Sequence, residues 1–359
     1  MRLILKYFLP ATLVAGFLCS FFYESVQWRL NTDDCFFDGI THAFGIGRSI
    51  ALCYEIANGR WFSHIVSCFA LYYAGHHCIT YTVVEFLFLG GFIASFAFFF
   101  KNYNLFFGHK NLSAAKALGA SVLYTATLYF LLYPGRQEIW FWISSSANHL
   151  LSVMLTAVLF GLLLRSSGSL ATSFFVFVTA ACVGGLNEIN ALCDILLMAG
   201  LLWWLKKYYP QAKIIRANFL LAATAVIASL AINYFSGGYR MRMEGLPAFT
   251  LWQSLLNTAH SFLLFFLKGD MATLFEFVFL LALFAFGAFG AKERIWVFSK
   301  KSNAVFMGCL ALICLAYFLH CYVLSDVVPP RGALWGYALL LFLPAARLLE
   351  LRSRLSTKP

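Results

Sequence analysis

Asp33 and Asp34 are adjacent acids in the first long polar segment of a chain that is otherwise mostly apolar. They follow an apolar helix predicted over 3–23, so they are expected just beyond the end of a first membrane span. Carboxylates so close to lipid are costly unless they bind something. Adjacent acids in a loop are also common as solvated residues at a helix cap. The pair therefore predicts either a catalytic base or a helix cap.

Glu188 is a second candidate for chemistry. It follows Gly184-Gly185 and Asn187 and has apolar segments on both sides, which predicts a position near membrane depth. Ionisable residues at that depth are functional by default. Glu188 is therefore a candidate catalytic carboxylate, and Asn187 a candidate substrate ligand beside it.

Several other polar side chains could bind a substrate. Arginines suit phosphate groups, although arginines near lipid also serve as interfacial anchors. A glycine pair, here Gly237-Gly238, permits the backbone to approach an anion closely. A histidine is either a ligand or a satisfied polar group. The candidate substrate-binding residues are Arg60, Arg136, His149, Tyr239, Arg240 and Arg242.

The composition identifies the class of protein. The chain is 62% hydrophobic and only 11% charged, whereas a soluble domain carries about a quarter charged residues. We therefore predict an all-α polytopic transmembrane bundle, 1–359, with no separate soluble domain. The net charge of +11 is expected to reflect membrane topology and contact with membrane lipid rather than nucleic-acid binding.

Apolar segments of suitable length predict ten membrane spans. Two further segments, 61–80 and 249–267, are interrupted by polar residues and are expected to lie along the outer face, or to raise the total to twelve if they cross. The ten predicted spans are 3–23, 81–100, 113–133, 147–165, 169–185, 188–205, 217–235, 271–290, 304–324 and 333–349.

The distribution of positive charge predicts the orientation. Alternate connections, together with both termini, carry 18 of the 26 lysines and arginines, and such connections stay in the cytoplasm. Both termini are therefore expected inside. The remaining connections, expected outside, hold every unusual polar cluster, which predicts one site at the outer surface. These outer connections are the first loop, 24–60, then 134–146 and 184–189, and a loop with an arginine cluster, 236–270.

This pattern resembles the GT-C superfamily of polytopic glycosyltransferases, which use polyprenyl-phosphate-linked sugars. Asp33-Asp34 stands where that superfamily has an acidic pair in its first outer loop. Asn58-Gly59-Arg60-Trp61 resembles an element of a bacterial, largely uncharacterised branch, as do Asn187-Glu188 and Gly237-Gly238-Tyr239-Arg240 with Arg242. The likeness covers roughly residues 1–245. Larger members have a soluble C-terminal domain, and from the sequence of this chain we do not expect one.

The resemblance implies a multi-pass enzyme of the bacterial cytoplasmic membrane that transfers a sugar to an outer-side acceptor. That acceptor would be a glycan or lipid of the cell envelope, as in O-antigen modification of lipopolysaccharide. Asp33 or Asp34 would be the base and the other would orient the acceptor, with Glu188 positioning hydroxyls and the arginines stabilising the leaving phosphate. A divalent metal, Mg²⁺ or Mn²⁺, at Asp34 stays open, because two adjacent acids do not establish a metal site.

Two other membrane functions use the same class of substrate. A flippase or transporter for a lipid-linked saccharide would need polar groups at the bilayer midplane, for which Glu85, Asp194 and Glu276 are candidates. An O-antigen-type polymerase or ligase would usually have a large outer loop rich in arginine and histidine. The outer loops here are mixed in charge, which favours the glycosyltransferase.

Overall fold

The structure, a computed structural model, contains only helices among its regular elements in the part of the chain that it describes. The described residues are 9–27, 31–74, 77–106, 112–132, 136–165, 168–208, 211–244 and 250–267, with isolated helical positions between 311 and 339. The predicted spans 271–290, 304–324 and 333–349, and Glu276, lie wholly or largely outside these residues.

Fourteen α-helices and one π-helical turn follow one another along the described chain. In the first half they are α1 (Leu9–Gln27), α2 (Thr32–Phe44), α3 (Ile46–Ile56), α4 (Trp61–Ala74), α5 (Cys78–Phe106), α6 (Ala114–Leu131) and α7 (Arg136–Trp140). In the second half they are α8 (Ile143–Ser145), the π-turn (Ser146–Leu150), α9 (Leu151–Leu164), α10 (Leu170–Gly184), α11 (Glu188–Tyr208), α12 (Lys213–Tyr234), α13 (Gly237–Glu244) and α14 (Leu251–Leu267).

Four helical segments are long and apolar enough to cross a membrane: Cys78–Phe106, Ile143–Leu164, Glu188–Lys207 and Lys213–Tyr234. The second of these joins α8, the π-turn and α9 into one helix, and the shorter α10 is also apolar. By length and composition these are the helices of an all-α membrane protein.

The spanning helices pack as a bundle around aromatic and aliphatic side chains. The helix α5 packs against α6 and α9, while α10 packs against α9 and α12. Phe92, Phe96 and Trp140 belong to a core on the α5 side, and Phe219 to a second core on the α12 side. Large apolar side chains such as Leu87 remain exposed on the outer face of the bundle, where lipid would cover them.

Three short helices, α2, α3 and α4, cover one end of the bundle, and we call them the cap. Residues 24–60, predicted as a mixed loop, are therefore largely helical. The cap is tied to the ends of the long helices, since the Phe62 amide donates to the Gly185 carbonyl (3.1 Å) and the Tyr54 hydroxyl to the Ile232 carbonyl (2.7 Å). The first helix reaches the same end, where the Cys78 thiol lies 3.6 Å from the Val26 carbonyl oxygen.

Residues 61–80 do not form a single helix, and the first part of the segment belongs to the cap. This segment divides into α4, with only 14 residues, and the start of the 29-residue helix α5. Of these two helices, only α5 is long enough to cross a membrane. The helix α4 instead packs against α2, α3, α8 and the π-turn.

Candidate functional site

Asn58, Gly59 and Arg60 make the turn that enters α4. Gly59 has φ +73°, and a Cβ atom on it would lie 1.8 Å from Ser236 Oγ and 2.8 Å from the Asn233 carbonyl oxygen. Only glycine fits both the backbone angle and this close approach. The Asn58 side chain accepts from the Arg60 amide (3.2 Å). The tight turn therefore packs the loop against the end of α12. This packing fixes the position of the Arg60 backbone.

Arg60 makes a forked ion pair with Glu188, which lies 128 positions further along the chain. Its Nε lies 3.0 Å from Oε1 and 2.9 Å from Oε2, and its Nη2 lies 2.7 Å from Oε2. Arg242 approaches the same carboxylate, with Nη1 3.6 Å from Oε1. Two guanidinium groups thus meet one carboxylate, which leaves a net positive charge at the end of the bundle. We call these three residues the arginine–glutamate centre.

Asn187 and Glu188 start α11. The Asn187 Oδ1 accepts from the backbone amides of Ile189 and Asn190, both at 3.1 Å. This is the hydrogen bonding of an N-cap residue, and it engages the side-chain oxygen of a residue that was predicted to contact substrate. Glu188 follows in the first turn, where the helix dipole favours a negative charge. Asn187 therefore positions Glu188.

Gly237 and Gly238, predicted to let the backbone approach an anion, lie close to protein backbone. A Cβ on Gly237 would lie 2.7 Å from the Glu55 carbonyl oxygen, and one on Gly238 would lie 2.9 Å from the Asn58 amide nitrogen. The glycine pair lets α13 pack directly on α3. This packing brings Arg242 to Glu188.

The remaining predicted residues of α13 lie around the centre. Arg240 is exposed. The ring of Tyr239 packs against that of Tyr234 at 5.1 Å, and its backbone amide donates to Ser236 Oγ (3.0 Å). Burial raises the pKa of the Tyr239 hydroxyl, and the nearby Glu188 carboxylate adds to this. Tyr239 therefore stays protonated at neutral pH.

Asp34 and Asp33, predicted as one site, face different surroundings. Asp34 is fully buried. It accepts hydrogen bonds from the Tyr81 hydroxyl, the Ile143 amide (3.2 Å) and the Ser144 amide (2.9 Å). Burial raises the pKa of Asp34, while hydrogen bonds from Ser144, Tyr81 and Ile143 oppose that rise. Asp33 is exposed. The two acids therefore differ in role. Asp34 fastens α2 to α8, whereas the side chain of Asp33 is accessible to solvent.

His64 connects these two regions. Its ring lies 5.7 Å from the ring of Phe37, one turn beyond Asp33 on α2. Burial, with a smaller contribution from the Arg60 guanidinium, lowers the pKa of His64 to about 4, while the Glu188 carboxylate opposes this shift. His64 is therefore a neutral, buried side chain next to the arginine–glutamate centre.

Two predicted residues lie apart from that centre. Arg136 pairs with Glu24 at the end of α1, with its Nε 3.3 Å from Oε2, and its guanidinium lies 4.9 Å from the centre of the Tyr129 ring. His149 is buried in the π-turn, where its Nε2 is 3.1 Å from the Asn148 amide nitrogen. The structure therefore joins Arg60, Glu188 and Arg242 in one centre, and leaves Arg136 outside it.

Sequence reasoning missed His64 and Tyr81. Tyr81 stands one turn before Glu85 on α5, and His64 one turn after Arg60, so each shares a helix face with a residue already chosen. That spacing was the available signal.

The described residues contain no group of three His, Cys, Asp or Glu side chains arranged to hold a metal ion. The oxygens of Asp34, the predicted metal ligand, accept from the hydroxyl and amide donors described above. Comparison of the chain with family models, with curated proteins and with solved structures found no match.

Proposed function

We propose that this chain is an integral membrane glycosyltransferase that moves a sugar from a polyprenyl-phosphate carrier to an acceptor outside the cytoplasm. One observation carries the proposal: Arg60 and Arg242, from distant parts of the chain, reach the same carboxylate at one end of a membrane bundle. A lipid phosphate lies at that depth in a bilayer, and guanidinium forks bind phosphate oxygens well.

The arginine–glutamate centre has the charge needed for a phosphate leaving group. Glu188 holds the two guanidinium groups together while neutralising only one of them. The surplus positive charge would stabilise the phosphate as it departs from the sugar. Arg240, exposed on the same short helix as Arg242, adds a third cation to α13.

Asp33 is the better candidate for the base. In the transfer step the acceptor hydroxyl oxygen bonds to the anomeric carbon and the bond from that carbon to the phosphate oxygen breaks. The hydroxyl proton passes to a carboxylate, and the phosphate leaves with the bonding electrons. The oxygens of Asp34 already accept three hydrogen bonds, whereas Asp33 is exposed at the start of α2.

The charge distribution supports placing this end of the bundle on the outer side of a bacterial cytoplasmic membrane, with both termini inside. The acceptor would then be a glycan or lipid of the cell envelope.

The rival function is a flippase for the same lipid-linked saccharide. Glu85, on the spanning helix α5, is 1% exposed, and its Oε1 has no hydrogen-bond partner among the described residues. Its other oxygen accepts from Ser25 on α1. A buried acid between two helices is the kind of group that proton-coupled transporters use.

The test is sugar transfer by the purified protein in liposomes that contain a labelled polyprenyl-phosphate sugar and a lipid acceptor. We expect Asp33→Asn to lower turnover by about 100-fold without changing the thermal unfolding temperature, because Asp33 is exposed. Glu55→Gln is the matched control, since Glu55 is another exposed carboxylate of the cap, and it should retain full activity.

Full turnover in Asp33→Asn would contradict the base. Movement of labelled lipid between leaflets without any release of the carrier phosphate would favour the flippase instead.

A further inference from the structure

A row of buried polar side chains runs along the inner face of α4, beside the arginine–glutamate centre. His64, Ser67 and Leu71 lie on one face of that helix at spacings of three and four residues. At one end of this face Leu71 packs in a cluster with Ile143 of α8. At the other end Arg60 pairs with Glu188. Between these two points α4 packs against α8 and the π-turn.

The opposite wall is also polar. Ser145 ends α8 and Asn148 lies within the π-turn, and both are more than nine-tenths buried. A π-turn adds a residue to the helical repeat and is common at functional sites. Just beyond it, Ser152 accepts from the Asn190 amide of α11 (3.1 Å), which ties this wall to the helix that carries Glu188. We call His64, Ser67, Ser145 and Asn148 the polar layer.

The polar layer has hydrogen-bonding capacity that the described protein does not use. Among the described residues, no partner is found for either ring nitrogen of His64, for the hydroxyls of Ser67 and Ser145, or for the Asn148 carbonyl oxygen. The Asn148 amide nitrogen is already engaged by His149 (3.1 Å). Buried polar groups are nearly always hydrogen-bonded, so a set of five such atoms points to a ligand that supplies the missing partners.

The chemistry of these atoms defines the ligand. All four side chains are neutral, because burial keeps the His64 imidazole uncharged. Together they offer both donors and acceptors, which matches hydroxyl groups, since a hydroxyl both donates and accepts. A phosphate would leave the acceptors unmatched and would be drawn to the arginines instead.

We propose that His64, Ser67, Ser145 and Asn148 bind the hydroxyl groups of a neutral sugar ring whose phosphate is held by Arg60 and Arg242. This rests on the proposed function, since it assigns the sugar of the donor to a particular wall of the same site. The polar layer selects the sugar, and the arginines select a donor in which that sugar is carried on a phosphate.

The experiment compares two adjacent serines. Ser145 has an unpartnered hydroxyl, whereas the Ser146 hydroxyl donates to the Ile139 carbonyl oxygen (2.8 Å). Ser145→Ala should therefore raise or preserve the thermal unfolding temperature but weaken sugar binding, whereas Ser146→Ala should lower the thermal unfolding temperature and leave sugar binding unchanged. Asn148→Leu removes the unpartnered carbonyl oxygen together with the side-chain amide that His149 engages. It should therefore weaken sugar binding as Ser145→Ala does, but lower the thermal unfolding temperature.

Binding is measured on the full chain in nanodiscs with four probes: polyprenyl phosphate, the same lipid carrying a neutral hexose, neutral polyprenol, and a panel of free neutral hexoses and N-acetylhexosamines. In the wild type we expect the sugar to tighten binding about tenfold over polyprenyl phosphate, as for one or two hydrogen bonds. In Ser145→Ala and Asn148→Leu this ratio should fall to about one, with the affinity for polyprenyl phosphate unchanged.

The sugar-binding role is overturned if the sugar-bearing lipid binds the wild type no more tightly than polyprenyl phosphate does. It is also overturned if the ratio of these two affinities is unchanged in both variants. Either result leaves the proposed function standing. If the wild type binds polyprenyl phosphate no better than neutral polyprenol, the proposed function fails. The free sugars then test whether the polar layer binds sugar at all. A thermal shift with a free sugar that disappears in Asn148→Leu then supports the polar layer, and the lack of any such shift overturns it.

Discussion

Glu188 and Asp34 are two carboxylates at the same end of the bundle, and the protein holds them by opposite means. Glu188 pairs with two guanidinium groups at a junction of loops. Asp34 is enclosed by neutral donors, one tyrosine hydroxyl and two backbone amides. The first arrangement concentrates charge, and the second removes a carboxylate from solvent.

This difference separates function from architecture. A charged cluster with surplus positive charge can exchange its carboxylate for a phosphate oxygen, since the arginines have further donors. A buried carboxylate whose oxygens are engaged is better suited to fastening two helices, as Asp34 fastens α2 to α8. Each substitution below tests one side of the contrast.

Removing Glu188 should have the largest effect on stability. In Glu188→Ala the buried Arg60 keeps its charge but loses its forked partner, and breaking such a pair lowers the free energy of unfolding by about 4 kcal/mol. Thermal unfolding of the detergent-solubilised protein measures the loss. The double variant Arg60→Gln/Glu188→Gln should recover most of it, because the buried charge of Arg60 is removed with its partner and the side chain of Arg242 is 26% exposed. A double variant as unstable as the single one would show that the pair acts through shape rather than charge.

Removing Asp34 should have a smaller effect, because its partners are neutral. In Asp34→Ala two amides and the Tyr81 hydroxyl lose their acceptor, with an expected loss of about 3 kcal/mol in the free energy of unfolding. Asp34→Asn keeps one acceptor oxygen and should lose less than half as much. Equal stability of Asp34→Ala and the wild type in the same thermal measurement would contradict the fastening role.

The turn before Arg60 should respond next. Gly59→Ala introduces a Cβ that would meet Ser236 Oγ at 1.8 Å, and we expect a loss of about 2 kcal/mol together with reduced sugar transfer. Gly45→Ala is the matched control, since Gly45 has a similar φ of +76° but nothing within 4 Å of a Cβ. Gly45→Ala should cost about 1 kcal/mol and spare activity. Equal losses in the two variants would mean that backbone strain alone, and not packing on α12, places Arg60.

The smallest effect at neutral pH should come from His64. Its pKa of about 4 in the folded protein lies below the value of about 6.5 in an unfolded chain. The unfolded chain therefore takes up a proton first as the pH falls, and stability declines between about pH 6.5 and 4. His64→Phe should remove this part of the decline while matching the wild type at pH 7. Because Asp34 is present in both proteins, the difference between their unfolding temperatures across this range isolates His64.

Much of the helical framework could be predicted from the sequence. The helices α6, α10, α11 and α12 agree with predicted spans to within a few residues, because long apolar segments bounded by charged or glycine-rich connections leave few alternatives. The cap was harder to predict. Residues 31–56 are too short and too polar for spans, and they form helices only because they pack on the ends of the bundle.

The candidate site was predicted in part, for a similar reason. Arg60 and Arg242 were predicted to bind substrate phosphate and Glu188 to be a catalytic carboxylate, and the structure joins the three side chains. Asn187 was assigned to substrate and caps a helix instead, and Arg136 pairs with Glu24. From the sequence alone, a polar residue near a helix end that binds a ligand cannot be distinguished from one that accepts hydrogen bonds from backbone amides.

The sequence by itself determined that the chain is helical and apolar enough for a membrane, since composition and segment length depend on no tertiary contact. Only the tertiary structure decided which carboxylate is paired with arginine, which is buried among neutral donors and which is open. Neighbours in space, up to 128 positions apart in the chain, set the charge and solvation of each side chain. Asp33 and Asp34, adjacent in the sequence, therefore have different chemistry.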